Sequence, residues 1–204
     1  MSARVHFPPV IFGTTALGNI YEEIPYATKL AIMKECVQNA PGGLLMFDSA
    51  GKYGAGLALE VLGQCLDELG VAPENVIISN KLAWYRVPLT GPESTFEPGV
   101  WHNLKHDAVQ KISYQGILEC YEQGNELLGK YSTQTASVRD PDEYLAAALD
   151  EADDKKRFQD ILDAYKALQE LKAAGKISSV GVGAKNWRSI ERIAQQVDLD
   201  WVMI

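Results

Sequence analysis

Cysteine and histidine are scarce, with three of each in 204 residues. Cys36, Cys65 and Cys120 are odd in number, widely spaced and set in amphipathic segments, which fits reduced core thiols better than a disulfide framework or a zinc site. A basic surplus is also missing. The formal net charge of -8 opposes general affinity for nucleic acid, which leaves small molecules or proteins as partners. No apolar run approaches the roughly 20 residues of a bilayer span. The start, MSARVHFPPV, lacks the charged, apolar and small-residue order of a secretory leader, so the expected compartment is the cytoplasm. Long polar or repetitive tracts are absent, as are a GxGxxG dinucleotide turn and a GK[ST] phosphate loop.

What is present is enough apolar material for a substantial core. The chain is 47% hydrophobic and 23% charged, and it reads as one globular unit over residues 1–204. Apolar runs at VIFG (10–13), LLMF (44–47), VIIS (76–79), VGVG (180–183) and WVMI (201–204), and an unusually polar run QTASVRD (134–140), read as strands. Helical spacing falls near 27–39, 57–69, 112–128, 156–174 and 187–197. Residues 82–111 are dense in Pro and Gly without a period, which reads as a long loop over one end of the fold. Alternating strands and helices predict an α/β fold with a parallel sheet. Six units are counted. Asp48, Lys81 and Arg139 stand at the carboxyl ends of three different strands, where (β/α)8 TIM barrel enzymes keep their chemistry.

Asp48, Tyr53 and Lys81 lie around the ends of two consecutive strand patterns, LLMFDSAGKYGAG and NVIISNKLAWY. A phenol is a poor proton donor near neutrality, because its unperturbed pKa is about 10, and a neighbouring ammonium favours its ionised form. A carboxylate would hold the ammonium in place. The trio therefore reads as an acid/base group.

FGTTALGN, FDSAGKYGAG, ISNKLAWYRVPL, DPDEYL and SVGVGAKNW together resemble the aldo-keto reductases, in the branch of D-threo-aldose 1-dehydrogenase and L-fucose dehydrogenase. The resemblance covers nearly the whole chain. It implies an NAD(P)-dependent oxidoreductase built as an eight-stranded (β/α) barrel, acting on a sugar such as fucose or galactose at C1, or on another carbonyl. It makes Tyr53 the proton carrier, Lys81 its cationic partner and Asp48 the anchor of Lys81. Where the family reads His-Asp after an apolar strand, this chain has Arg139. Gly13, Thr14 and Asn186 fall where the nicotinamide end of the cofactor is held, with Lys185 an alternative to Asn186. Gly13 reads equally as a turn glycine, and Asn186 as a helix cap. Trp84 and Tyr85 are candidates to wall the substrate pocket, although aromatic residues in barrel loops also pack for ordinary hydrophobic reasons.

The resemblance implies two further strand-helix units, so the expectation is a C-terminally truncated fragment of such an enzyme. Open sheet edges at VIFG and WVMI would then invite self-association. The competing expectation is an inactive fragment or an interaction module. His102 and His106 stand four apart, a metal-pair spacing without a third ligand. LDEADDKK (149–156) lacks the central Gly of a calcium loop and reads as a solvated approach to a helix.

Arginine stays cationic and offers no neutral ring nitrogen. With a neutral carbonyl substrate, Arg139 should hinder reduction, which needs a protonated phenol, more than oxidation, which needs a base. Steady-state assays of Arg139→His in both directions should show reduction gaining more than oxidation. Equal rates before and after substitution contradict the expectation.

Overall fold

The computed structural model describes residues 6–204. Residues 1–5, part of the start read above for a leader, lie outside the described residues. In chain order the elements are β1 (Phe12–Gly13), α1 (Tyr26–Gln38), β2 (Leu45–Ala50), α2 (Leu57–Glu68) and β3 (Val76–Leu82). A pair, β4 (Trp84–Pro88) and β5 (His106–Gln110), precedes α3 (Tyr114–Leu128) and β6 (Thr135–Arg139). Then follow α4 (Pro141–Ala146), α5 (Glu151–Ala173), β7 (Ser179–Gly183), α6 (Trp187–Ala194) and β8 (Trp201–Met203). The main sheet is parallel throughout, in the order β1-β2-β3-β6-β7-β8. This is the expected α/β architecture, six strands of an incomplete (β/α)8 barrel. None of the described helices is long and apolar enough to cross a membrane.

Residues alternate between the two faces of each strand, and the faces differ in chemistry. Ala136, Val138, Val180 and Val182 are buried in one cluster with Ile161, Ala164, Tyr165 and Leu168 of α5. Phe47 and Ile78 are buried in a second cluster with Leu59, Leu62 and Leu66 of α2. The intervening positions, Asp48, Ser79, Lys81, Ser137, Arg139 and Gly181, are polar or small. They form the face that carries the site. Tyr165 is fully buried among apolar side chains, yet its hydroxyl donates to the Gly181 carbonyl at 3.2 Å, so its polar tip is satisfied.

Helix ends follow their local chemistry. The Ser113 hydroxyl caps α3 by accepting from Gly116 N at 3.0 Å. Gly175, with φ 70°, closes α5: its N–H donates to Lys172 O, while Lys176 N donates to Leu171 O. From Glu151 onward the acidic segment LDEADDKK is the start of α5, and only Leu149 and the capping Asp150 approach it. Asp150 accepts from Asp153 N at 2.8 Å, and Glu151, Asp153 and Asp154 fill the first turn, where carboxylates oppose the positive end of the helix. Periodicity misses this start because the first turn is solvated.

A second correction concerns residues 82–111, which are not one loop. Trp84–Pro88 pairs antiparallel with His106–Gln110, in a register that sets Trp84 opposite Gln110 and Pro88 opposite His106. Only the intervening segment is irregular. The pairing joins strands separated by many residues, so no short-turn signal announces it. His106 belongs to β5 and His102 to the loop before it, so they do not share a helical face. Among the described residues no group of three His, Cys, Asp or Glu is placed to hold a metal. The three cysteines are free, and burial pushes the Cys120 thiol up to about 12.

Close approach of α2 and α3 depends on Gly63, where an added Cβ would overlap the Leu128 backbone carbonyl. Helix propensity alone favours alanine over glycine by about 1 kcal/mol, but overpacking against backbone costs about 1–3 kcal/mol. Gly63→Ala should therefore lower stability in urea unfolding. A stabilised variant would mean that the two helices separate without cost.

Candidate active site

Parallel register between β2 and β3 assembles the centre. Asp48 sits opposite Ser79 and Ala50 opposite Lys81, so Lys81 lies two residues beyond Asp48's partner on the same face. Its ammonium reaches back to Asp48 Oδ2 in an ion pair buried on both sides. Ser79 Oγ donates to Asp48 Oδ1 at 3.1 Å, so both carboxylate oxygens are engaged. Thr14 holds the same residue from β1, donating from both its N–H and its hydroxyl to the Asp48 carbonyl at 3.1 and 3.0 Å.

Tyr53 follows in the turn between β2 and α2. The chain there runs through three left-handed residues, Gly54, Ala55 and Gly56, with φ of 60°, 52° and 83°. That conformation suits glycine and strains alanine. Gly18 packs against this turn, since an added Cβ would stand 2.8 Å from the Tyr53 carbonyl carbon. The Tyr53 ring is bracketed by two cations. Lys81 Nζ lies 5.4 Å and Arg139 Cζ 5.1 Å from its centroid, and Arg139 Nη1 donates to the Tyr53 hydroxyl at 3.5 Å. Asp48, Tyr53, Lys81 and Arg139 are thus brought together.

Four neighbours were not foreseen. Lys52, buried beside Tyr53, pairs with Glu97 Oε1 at 2.7 Å. Glu97 also accepts from Trp101 Nε1 at 2.7 Å, and Trp101 lies against Tyr53 with ring centroids 6.1 Å apart. Asp140 faces Arg139 Nε at 3.0 Å, and burial raises its carboxyl above the usual range despite the opposing charge of Arg139. Sequence adjacency to Tyr53 and Arg139 flags Lys52 and Asp140. Glu97 and Trp101 carry no such signal.

The remaining candidates separate. Trp84 joins the site through an aromatic chain to Phe96, 5.7 Å away, and through Lys52 Nζ, 5.0 Å from its ring. Tyr85 packs instead on the cluster containing Leu82, Ile112 and Cys120, with Lys111 Nζ 4.1 Å from its ring. Gly13 is open, with nothing within 4 Å of an added Cβ. Asn186 caps α6, its side-chain oxygen accepting from Arg188 N at 3.1 Å, which leaves its NH2 group available. Lys185 points to Glu143 at 2.7 Å. Chemically, a phenol held beside an anchored ammonium can exchange a proton with a hydroxyl or carbonyl oxygen placed against it.

The sequence profile of the Aldo/keto reductase family matches residues 9–204. The chain is 29% identical to the pyridoxal 4-dehydrogenase of Microbacterium luteolum over 200 residues, covering 92% of this chain and 55% of that protein. It is 23% identical to the D-threo-aldose 1-dehydrogenase of a Pseudomonas species over 208 residues, covering 100% of this chain and 58% of that one. The solved aldo-keto reductase of Klebsiella pneumoniae in complex with NADPH superposes with a TM-score of 0.59 at 16% identity, covering 94% of this chain and 51% of that one. The chain therefore spans little more than half the length of the relatives it matches.

Lys81→Met would strand the Asp48 carboxylate with Ser79 as its one side-chain partner. Breaking a buried pair in this way should cost about 3–5 kcal/mol, and the double replacement Lys81→Met, Asp48→Leu should recover most of it. Urea unfolding of the two variants measures this. A single variant as stable as the wild type would show that the pair is not buried in solution.

Proposed function

The chain belongs to the aldo/keto reductase family, and we propose that it transfers hydride between a nicotinamide cofactor, NAD(P), and an alcohol or carbonyl carbon. Tyr53 would serve as the acid/base group. The observation that carries this reading is the placement of Tyr53, its hydroxyl against Arg139 and its ring beside the Asp48-anchored Lys81. The substrate class suggested by the resemblance, and by the name of the Pseudomonas relative, is an aldose oxidised at C1.

Gly13 and Asn186 fit the nicotinamide end, the first by its openness and the second by its remaining amide N–H groups. Thr14 has its hydroxyl proton on Asp48, so toward a cofactor it can only accept. When bound, the cofactor supplies a hydride acceptor or donor. Tyr53 takes the proton of the substrate hydroxyl during oxidation and returns it during reduction. Lys81 holds positive charge beside the phenol, and Asp48 with Ser79 fixes the ammonium. Trp101, clamped through Glu97, covers Tyr53 and limits water there.

Titration with NADPH or NADH should change the tryptophan fluorescence saturably. Tyr53→Phe should keep that response while lowering turnover about 10²–10⁴-fold. A flat response up to millimolar cofactor would favour a non-catalytic interaction module.

A further inference from the structure

We propose that Arg139 is a carboxylate anchor and that the substrate is a 2-hydroxy acid or its 2-oxo acid counterpart; the inference rests on the reading of Tyr53 as acid/base group. Two of the three cations around Tyr53 are already held by a carboxylate at short range. Lys81 is held by Asp48, and Lys52 by Glu97. Arg139 differs. Its Nε faces Asp140 at 3.0 Å, poorly aligned for a hydrogen bond, and Nη1 donates one long bond to Tyr53. No protein acceptor meets Nη2 among the described residues, although only 19% of the side chain is exposed.

A guanidinium carries five N–H donors in a planar fork; Nε is buried without a hydrogen-bond partner, while Nη2 is reached by solvent and is free to take a ligand acceptor. A carboxylate fits the Nη1/Nη2 edge with two oxygens in matching geometry, as a neutral hydroxyl or carbonyl does not. Asp140 meets the guanidinium on its Nε side, which leaves the Nη1/Nη2 edge to another acceptor. Because Nη1 also contacts the Tyr53 hydroxyl, a carboxylate on this edge places its neighbouring carbon against the proton carrier. The reacting carbon is then C2.

In oxidation the C2–H bond breaks and its electron pair leaves with hydrogen as hydride to NAD(P)+. The C2 hydroxyl proton passes to Tyr53, and C2=O forms. The substrate loses two electrons and the cofactor gains them. Reduction runs the same steps backward. An imidazole at position 139 would orient only the reacting oxygen, whereas the guanidinium binds a second group of the substrate. This moves the reacting carbon from C1 of an aldose to C2 of an acid while keeping Tyr53 as the proton carrier.

The test pairs acids with neutral analogues in which CH2OH replaces the carboxylate: D-gluconate with sorbitol, and lactate with propane-1,2-diol. Titrated into the full chain and followed by tryptophan fluorescence, each acid should bind about tenfold or more tightly than its neutral partner. Arg139→Gln should abolish that preference, Arg139→Lys should restore part of it, and NADPH binding should be unchanged in both. Equal binding within each pair, or a preference that survives Arg139→Gln, overturns the anchor. Turnover of neutral aldehydes with no binding of acids overturns the anchor and leaves Tyr53 in its role. Acid binding through Arg139 with turnover unaffected by Tyr53→Phe supports the anchor and overturns the reading of Tyr53.

Discussion

The site is organised around the buried ion pair between Lys81 and Asp48. Two charges removed from water are costly, and the cost is offset only where geometry is good and remaining polar atoms are satisfied. The parallel register of β2 and β3 supplies that geometry, with Ser79 and Lys81 presented on one face at a two-residue interval. Ser79 completes the carboxylate, and Thr14 ties the Asp48 backbone to β1. A one-residue slip would turn Lys81 toward the apolar helices and Asn80 toward the site. The pair therefore holds both the chemistry and the register to a single arrangement.

What lies above the sheet depends on that arrangement. The left-handed turn at 54–56 delivers Tyr53 to Lys81, and Arg139, ending β6, also lies against its ring. The hairpin of β4 and β5 then brings back a loop whose Glu97 joins Lys52 to Trp101. One carboxylate links the residue before Tyr53 to the aromatic ring lying on Tyr53. Loosening that link would expose the phenol to water, which connects loop stability to the proton-transfer role proposed for Tyr53.

Elements with strong local signals were legible in the sequence. Apolar strands such as VIIS and VGVG and amphipathic stretches such as α2 and α3 declare themselves through periodicity. Others depend on tertiary context. The hairpin joins distant segments without a tight turn, the short helix α4 begins after a left-handed Asp140, and the first turn of α5 carries three carboxylates and no core side chain. In the site, Asp48, Tyr53, Lys81 and Arg139 were legible because they lie at or near strand ends in recognisable motifs. Trp101 and Glu97 come from a loop without period. Tyr85 misled because neighbouring strand residues point to opposite faces, so Trp84 and Tyr85 do not share a wall.

The proposed chemistry divides the work, with hydride moving between cofactor and substrate carbon while Tyr53 moves the proton. A single turnover with NADPH carrying two deuterium atoms at C4 of the nicotinamide and a 2-oxo acid, with the product examined by mass spectrometry, tests this most directly. One deuterium is expected on C2 of the hydroxy acid, and none transferred at a comparable rate by Tyr53→Phe. Product formed without deuterium, or equal transfer by the variant, would contradict it.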